Sequence, residues 1–332
     1  MTMRAQTGTS GTTIFHPLRR AFGNGTLIVA AIYVALFALY AATQKGVFAI
    51  SEINDLFNNA LPLSVAAAGG TFVVLTRGFD LSVGGVVALS NVMVATVVGD
   101  GWPGGLAGLA MVLAIGLIVG AFNGFLVAYV GLQSIASTLG TMIVCSGLAL
   151  VVLDAPGGTV PDFISNNLTD LAFDTIPVAA LVVAALMAIW LVLRRTDFGI
   201  ALYAIGADET AAGLAGISVA RTKFFAYCIA GMLYGVAGYT LSAQTATGNP
   251  NSGNAYLLLT FAAIAVGGTA FSGGRGGVIG SMLGAATLTL LQKVLFSTGV
   301  SSFYTGIFQG AVMILAVLIA ALSARLARGA QA

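Results

Sequence analysis

Ten apolar runs account for most of this chain: roughly 27–43, 61–75, 81–98, 105–130, 135–153, 176–193, 224–243, 256–270, 277–296 and 304–323. The hydrocarbon core of a bilayer takes about 17–25 apolar residues per helix. Backbone polar groups in lipid must be satisfied internally, so such runs are helical. There is also too little charge to dress a soluble surface: only 7% of residues are Asp, Glu, Lys or Arg, where soluble domains carry about 25%. The expected fold is all-α and polytopic, with about ten transmembrane helices. Runs 61–75 and 256–270 are short, and each leads into a glycine-bearing link. They are candidates for half-helices or steeply packed spans.

Basic residues in short loops stay on the cytoplasmic side. With the N-terminus inside and sides alternating, Arg4, Arg19, Arg20, Arg77, Arg194, Arg195, Arg221, Lys223, Arg275, Arg325 and Arg328 fall inside, eleven of thirteen basic residues. Lys45 and Lys293 lie near outer ends, where long side chains snorkel to the headgroups. The stretch 154–175 has four aspartates and no base, and falls outside. The chain thus divides into a cytoplasmic segment 1–26, a membrane domain 27–323 with a long inner loop 194–223, and a tail 324–332. Both termini are expected in the cytoplasm.

Scarce residues exclude much chemistry. His16 is the one histidine, so a histidine metal cage or proton relay in the membrane is not expected. None of the three lysines completes a G-x-x-x-x-G-K-[ST] phosphate loop. Cys145 and Cys228 lie in apolar runs and read as buried free thiols. A net charge of +2 gives no reason to expect nucleic acid.

Several motifs stand out. Gly116, Gly120 and Gly124, Gly276, Gly280 and Gly284, and Gly231 with Gly235 recur every fourth residue, which lets helix backbones approach closely. Packing within the chain is expected ahead of a dimer seam. Gly69-Gly70-Thr71 and Arg77-Gly78 recur, 198 residues on, as Gly267-Gly268-Thr269 and Arg275-Gly276, suggesting a parallel internal repeat over about 61–153 and 256–323. Asp80 or Ser82 is placed to cap the helix that starts there, with Arg77 at the headgroups. Amides inside the runs, Asn91, Asn123 and Gln309, either bond neighbouring helices or line a wet path. Arg77, Asp80, Asn91, Asn123 and Gln309 are therefore the candidates for pathway or gate. In the inner loop, Asp208 can cap a short helix favoured by Ala211 and Ala212 and ended by Gly216, a suitable handle for a partner.

Taken in order, Gly78-Phe79-Asp80-Leu81-Ser82-Val83-Gly84, Asn123-Gly124-Phe125-Leu126-Val127, Thr138-Leu139-Gly140-Thr141-Met142, Ala204-Ile205-Gly206 with Ala211-Ala212 and Gly216-Ile217, and Gly273-Gly274-Arg275-Gly276 form a recognisable series. Over about residues 55–322 the chain resembles the permease subunits of binding-protein-dependent ABC importers for ribose and related monosaccharides. The resemblance implies a bacterial cytoplasmic-membrane subunit with no chemical step and no cofactor of its own. It implies a pore made with a second copy or a similar permease, a separate cytoplasmic ATPase that binds ATP and Mg, and a periplasmic or surface-tethered substrate-binding protein. It assigns ATPase coupling to Gly206, Asp208, Glu209, Ala211, Ala212, Gly216 and Ile217. The chain departs from the family pattern where Thr210 replaces the loop glutamate, where Leu257-Leu258-Leu259 replaces acidic residues, and where Ser146 replaces an arginine. The first departure leaves ATPase docking expected, and the other two bear on which solute is carried: a nucleoside, a branched-chain amino acid or a signalling furanose are alternatives. An ion-coupled transporter would need a titratable group near mid-membrane, and the only acid closely flanked by spans is Asp80.

Overall fold

The computed structural model describes residues 16–299 and the helical positions 304, 306, 307, 310, 311 and 314. Its helices are α1 (His16–Thr43), α2 (Ile50–Leu75), α3 (Val83–Val97), α4 (Gly101–Ala128), α5 (Ser134–Val152), α6 (Asp162–Thr169), α7 (Val178–Leu193), α8 (Asp197–Ala207), α9 (Glu209–Leu214), α10 (Val219–Thr245), α11 (Gly253–Val266) and α12 (Val278–Ser297). Strands β1 (Leu171–Ala172) and β2 (Ile176–Pro177) pair antiparallel. The first nine apolar runs each fall on one of these helices. The tenth and the tail lie largely or wholly outside the described residues, as do residues 1–15.

Six of the described helices are long and apolar enough to cross a bilayer: α1 from Gly25, α2, α4, α5, α10 and α12. Helices α7 and α8 form a further apolar pair, bent by 78°. Helices α3 and α11 have 15 and 14 residues, about 21–23 Å at 1.5 Å per residue, against a core of about 30 Å. Full-length spans among the described residues are therefore fewer than ten.

Run 61–75 is not a half-helix. It is the buried end of α2, a 26-residue helix whose first turns carry Ser51, Glu52, Asn54, Asp55, Asn58 and Asn59. These polar residues interrupt the hydropathy but not the helix. Asn54 and Asn58 both donate to the Thr169 carbonyl, at 2.7 and 2.8 Å, and Glu52 pairs with Lys293. Lys293 is thus held by a carboxylate and does not reach freely to headgroups. The stretch 154–177 folds as α6 and the β-hairpin, pinned to the C-terminal end of α10 by the Val160 and Gly157 backbone bonds to Ala246 and Gly248.

Helix α2 is the core of the bundle: every residue from Ala60 to Leu75 is buried. It packs antiparallel to α10, with Gln244 bonded to Asn59 near one end and Tyr227 beside Gly78 at the other. Glycines set the closest approaches. A Cβ on Gly116 would overlap the Gly231 carbonyl, one on Gly120 the Tyr227 carbonyl, and one on Gly284 the Ala263 carbonyl. The four-residue glycine spacing therefore serves α4–α10 and α11–α12 contacts within one chain. The internal echo has no common conformation. Gly69-Gly70-Thr71 lies inside α2, whereas Gly267-Gly268-Thr269 follows the end of α11, with Gly268 at φ 79°. Thr71 and Thr269 nonetheless both reach Ser281 Oγ, at 2.7 and 3.2 Å.

Candidate functional site

The segment between α7 and α10 folds into two short helices. Thr196 caps α8 by accepting from the Gly199 N–H, and α8 buries Ala201, Leu202 and Ile205. Asp208, extended at φ −156°, separates α8 from α9. Its Oδ1 accepts the Ala211 N–H at 2.9 Å, filling one of the donors a helix start leaves open. At the other end Gly216 takes φ 86°. The Gly216 N–H donates to Gly213 and the Ile217 N–H to Ala212, the paired bonds of a Schellman ending, which a glycine adopts without a Cβ penalty. Helix α9 is thus capped at both ends, although it is only six residues long.

Its exposed face is Glu209, Thr210, Ala211 and the turn 213–216, with Leu214 86% exposed. Glu209 is tied to Lys223 at 2.7 Å, an exposed pair of small energetic weight. Ala212 and Gly206 are buried, so these two shape the loop from within and present no outer surface. Ile217 lines a groove of about 700 Å³ with Asp197, Phe198, Arg221, Phe225 and Ile229.

Of the pathway and gate candidates, Arg77, expected at the headgroups, is bound to the end of α8. Its Nε donates to the Gly206 carbonyl at 2.8 Å, and its Nη2 to the Ala207 carbonyl. Asp80 caps no helix: α3 starts after Ser82 without a side-chain cap. Asp80 Oδ1 instead accepts both the N–H and the hydroxyl of Ser82, a local turn that forms because the carboxylate reaches two residues on. Asp80 Oδ2 is buried without a partner among the described residues. Burial pushes this carboxyl up to about 6, against the opposing pull of the two Ser82 bonds. Asn91 is fully engaged: it donates to Ser242 Oγ at 2.9 Å and the Thr247 carbonyl at 3.2 Å, and accepts from the Asn249 N–H at 2.7 Å. Asn123 accepts from Thr141 at 2.9 Å, and its Nδ2 has no partner among the described residues. Both amides lie between helices. Gln309 lies outside the described residues.

A family profile described as branched-chain amino acid transport system / permease component matches residues 52–317. The chain belongs to that permease family. It is 38% identical over 281 residues to the ribose import permease RbsC of Bacillus subtilis (strain 168), covering 81% of this chain and 84% of that protein. Against RbsC of Escherichia coli (strain K12) it is 34% identical over 312 residues, 91% of this chain and 96% of the other. The autoinducer 2 import permease LsrC of Yersinia pestis (strain Pestoides F) is 30% identical over 294 residues, 87% and 82% of the two chains. No solved structure matches the chain.

In this multi-pass permease, three sequence motifs converge on one buried region. The Phe79 and Leu81 N–H groups of the link after α2 donate to Ser134 and Thr138 of α5, and Tyr227 of α10 donates to the Phe79 carbonyl. Gly124 packs on Phe224 and Tyr227. Sequence reasoning passed over Asn54, Asn58, Asn59 and Gln244, which gather at the end of the bundle opposite α9. Their signal was the four-residue spacing of Asn54 and Asn58 on one helix face, hidden because the stretch is not apolar.

Proposed function

We propose that the chain forms, with a second copy or a similar permease, the path by which ribose or a related small polar sugar crosses the bacterial inner membrane. One observation carries the sugar assignment: similarity over 91% of this chain and 96% of its length to a protein named as a ribose import permease. Energy comes from a separate cytoplasmic ATPase that holds ATP and Mg. A binding protein delivers the solute at the outer face, and this chain supplies neither nucleotide site nor cofactor. The capped helix α9 and its flanks, residues 206–217, are the ATPase handle, with both termini on the same, cytoplasmic side. A rigid, solvent-facing element joined at both ends to buried helices suits that task, because coupling requires contacts that differ between two states of the complex. The test is uptake of labelled D-ribose by cells with and without the intact chain, in competition with unlabelled autoinducer 2 and leucine. Loss of D-ribose uptake on deletion, restored by the chain, supports the reading. D-ribose uptake that is unchanged on deletion overturns it.

A further inference from the structure

Segments far apart in sequence meet at the C-terminal end of α8. Gly206 lies against the Leu75 carbonyl at the end of α2 and against Gly274 in the α11–α12 link, and a Cβ there would overlap both. The Gly274 N–H donates to that same Leu75 carbonyl at 3.1 Å. One turn earlier on α8, the Tyr203 hydroxyl donates to the Gly276 carbonyl at 2.7 Å. Arg77 closes the junction by donating to the last two carbonyls of α8, where the helix dipole favours a cation. It does so from a left-handed backbone, φ 64°, a conformation costly for any residue with a Cβ and retained only where the surroundings over-determine it. Its side chain also packs on Gly273. Helix α9 begins two residues beyond Ala207.

The geometry points to Arg77 as the positioning residue that fixes α8 and α9 to the central helix α2 and to the α11–α12 link. The inference rests on the reading of α9 as the ATPase handle and names the route by which its movement enters the membrane. Push on α9 moves α8, and the junction passes that displacement to α2 and to the glycines leading into α12. Without the guanidinium, the last two carbonyls of α8 lose their tie to the end of α2, and α9 can shift while α2 stays in place.

The experiment places spin labels on Leu214→Cys and Ser272→Cys in the full chain in lipid; both sites are exposed, whereas Cys145 and Cys228 are buried. The expected result is one narrow distance distribution. Arg77→Gly keeps the left-handed backbone while removing the guanidinium, and should broaden it. Arg77→Lys keeps a cation at the α8 carbonyls and should partly restore it. In the intact complex, Arg77→Gly should lower ATP hydrolysis by at least about tenfold, the factor that a single lost bond from a charged donor is worth, as Gly216→Val does through the handle itself. A narrow distribution in Arg77→Gly overturns the inference. So does normal hydrolysis in Arg77→Gly when Gly216→Val loses it, and in that case the handle stands. If neither variant changes hydrolysis, the handle reading itself has failed.

Discussion

Gly116 and Gly140 sit on neighbouring helices, yet their missing Cβ atoms face different surroundings. A methyl on Gly116 would overlap the Gly231 carbonyl, while one on Gly140 meets nothing within 4 Å. Gly116→Ala should therefore destabilise the chain by at least about 1–3 kcal/mol, the cost of forcing a packed contact apart. Gly140→Ala should be neutral or stabilising by up to about 1 kcal/mol through helix propensity. Thermal unfolding of the two variants in the same detergent checks this, and equal midpoints would contradict it. The amides separate in the same way. Asn91 makes three bonds that tie α3 to α10 and to the segment beyond it, while Asn123 makes one bond. At about 0.6–1.7 kcal/mol per interhelical bond, Asn91→Leu should reduce the amount of folded protein in the membrane more than Asn123→Leu. Quantitative blotting of membrane fractions measures it. The apolar runs showed that these residues lie on helices; only packing shows what each one meets.

Helix α9 is short enough that its caps decide whether it forms. Asp208→Ala removes the acceptor for Ala211 and should cost about 1 kcal/mol of local stability. Gly216→Val has room for the side chain, since nothing lies within 4 Å of its Cβ, so its cost is conformational: about 1–2 kcal/mol for a left-handed residue, and more for a β-branched one. Hydrogen exchange over residues 206–217 should rise in both variants, while Gly216→Asn should keep most of the protection. Exchange unchanged in Gly216→Val would show that the turn is not held by its backbone conformation. The sequence signalled α9 directly, because Asp208 and Gly216 are local end signals. It did not signal α8: Phe198, Ile200, Leu202 and Ile205 are mixed with glycines, and the helix is secured by burial against Phe72, Leu75 and Trp190. Likewise the start of α2 was illegible because Asn54 and Asn58 are satisfied by Thr169, a partner more than a hundred residues away.

Across the whole molecule, α6 and α9 mark opposite ends of α10, whose 27 residues reach about 40 Å. Single cysteines at Asn166 and Leu214, both exposed, should therefore react with an impermeant thiol reagent from opposite sides: Asn166→Cys in intact cells, Leu214→Cys only after the membrane is opened. Labelling of Leu214→Cys in intact cells would reverse the proposed orientation. Sequence alone determined that this chain lives in lipid and is helical, because a run of apolar residues has no other way to satisfy its backbone there. It also determined where α9 starts and stops and, through ordered motifs, the permease family. Tertiary structure decided that α3 and α11 are too short to span alone, that run 61–75 belongs to a longer central helix, and that Arg77 binds the end of α8. The physical reason is reach: caps and hydropathy act over a few residues, while the bonds that join Arg77 to Gly206 and Gly274 to Leu75 connect residues 129 and 199 positions apart, and no local pattern encodes them.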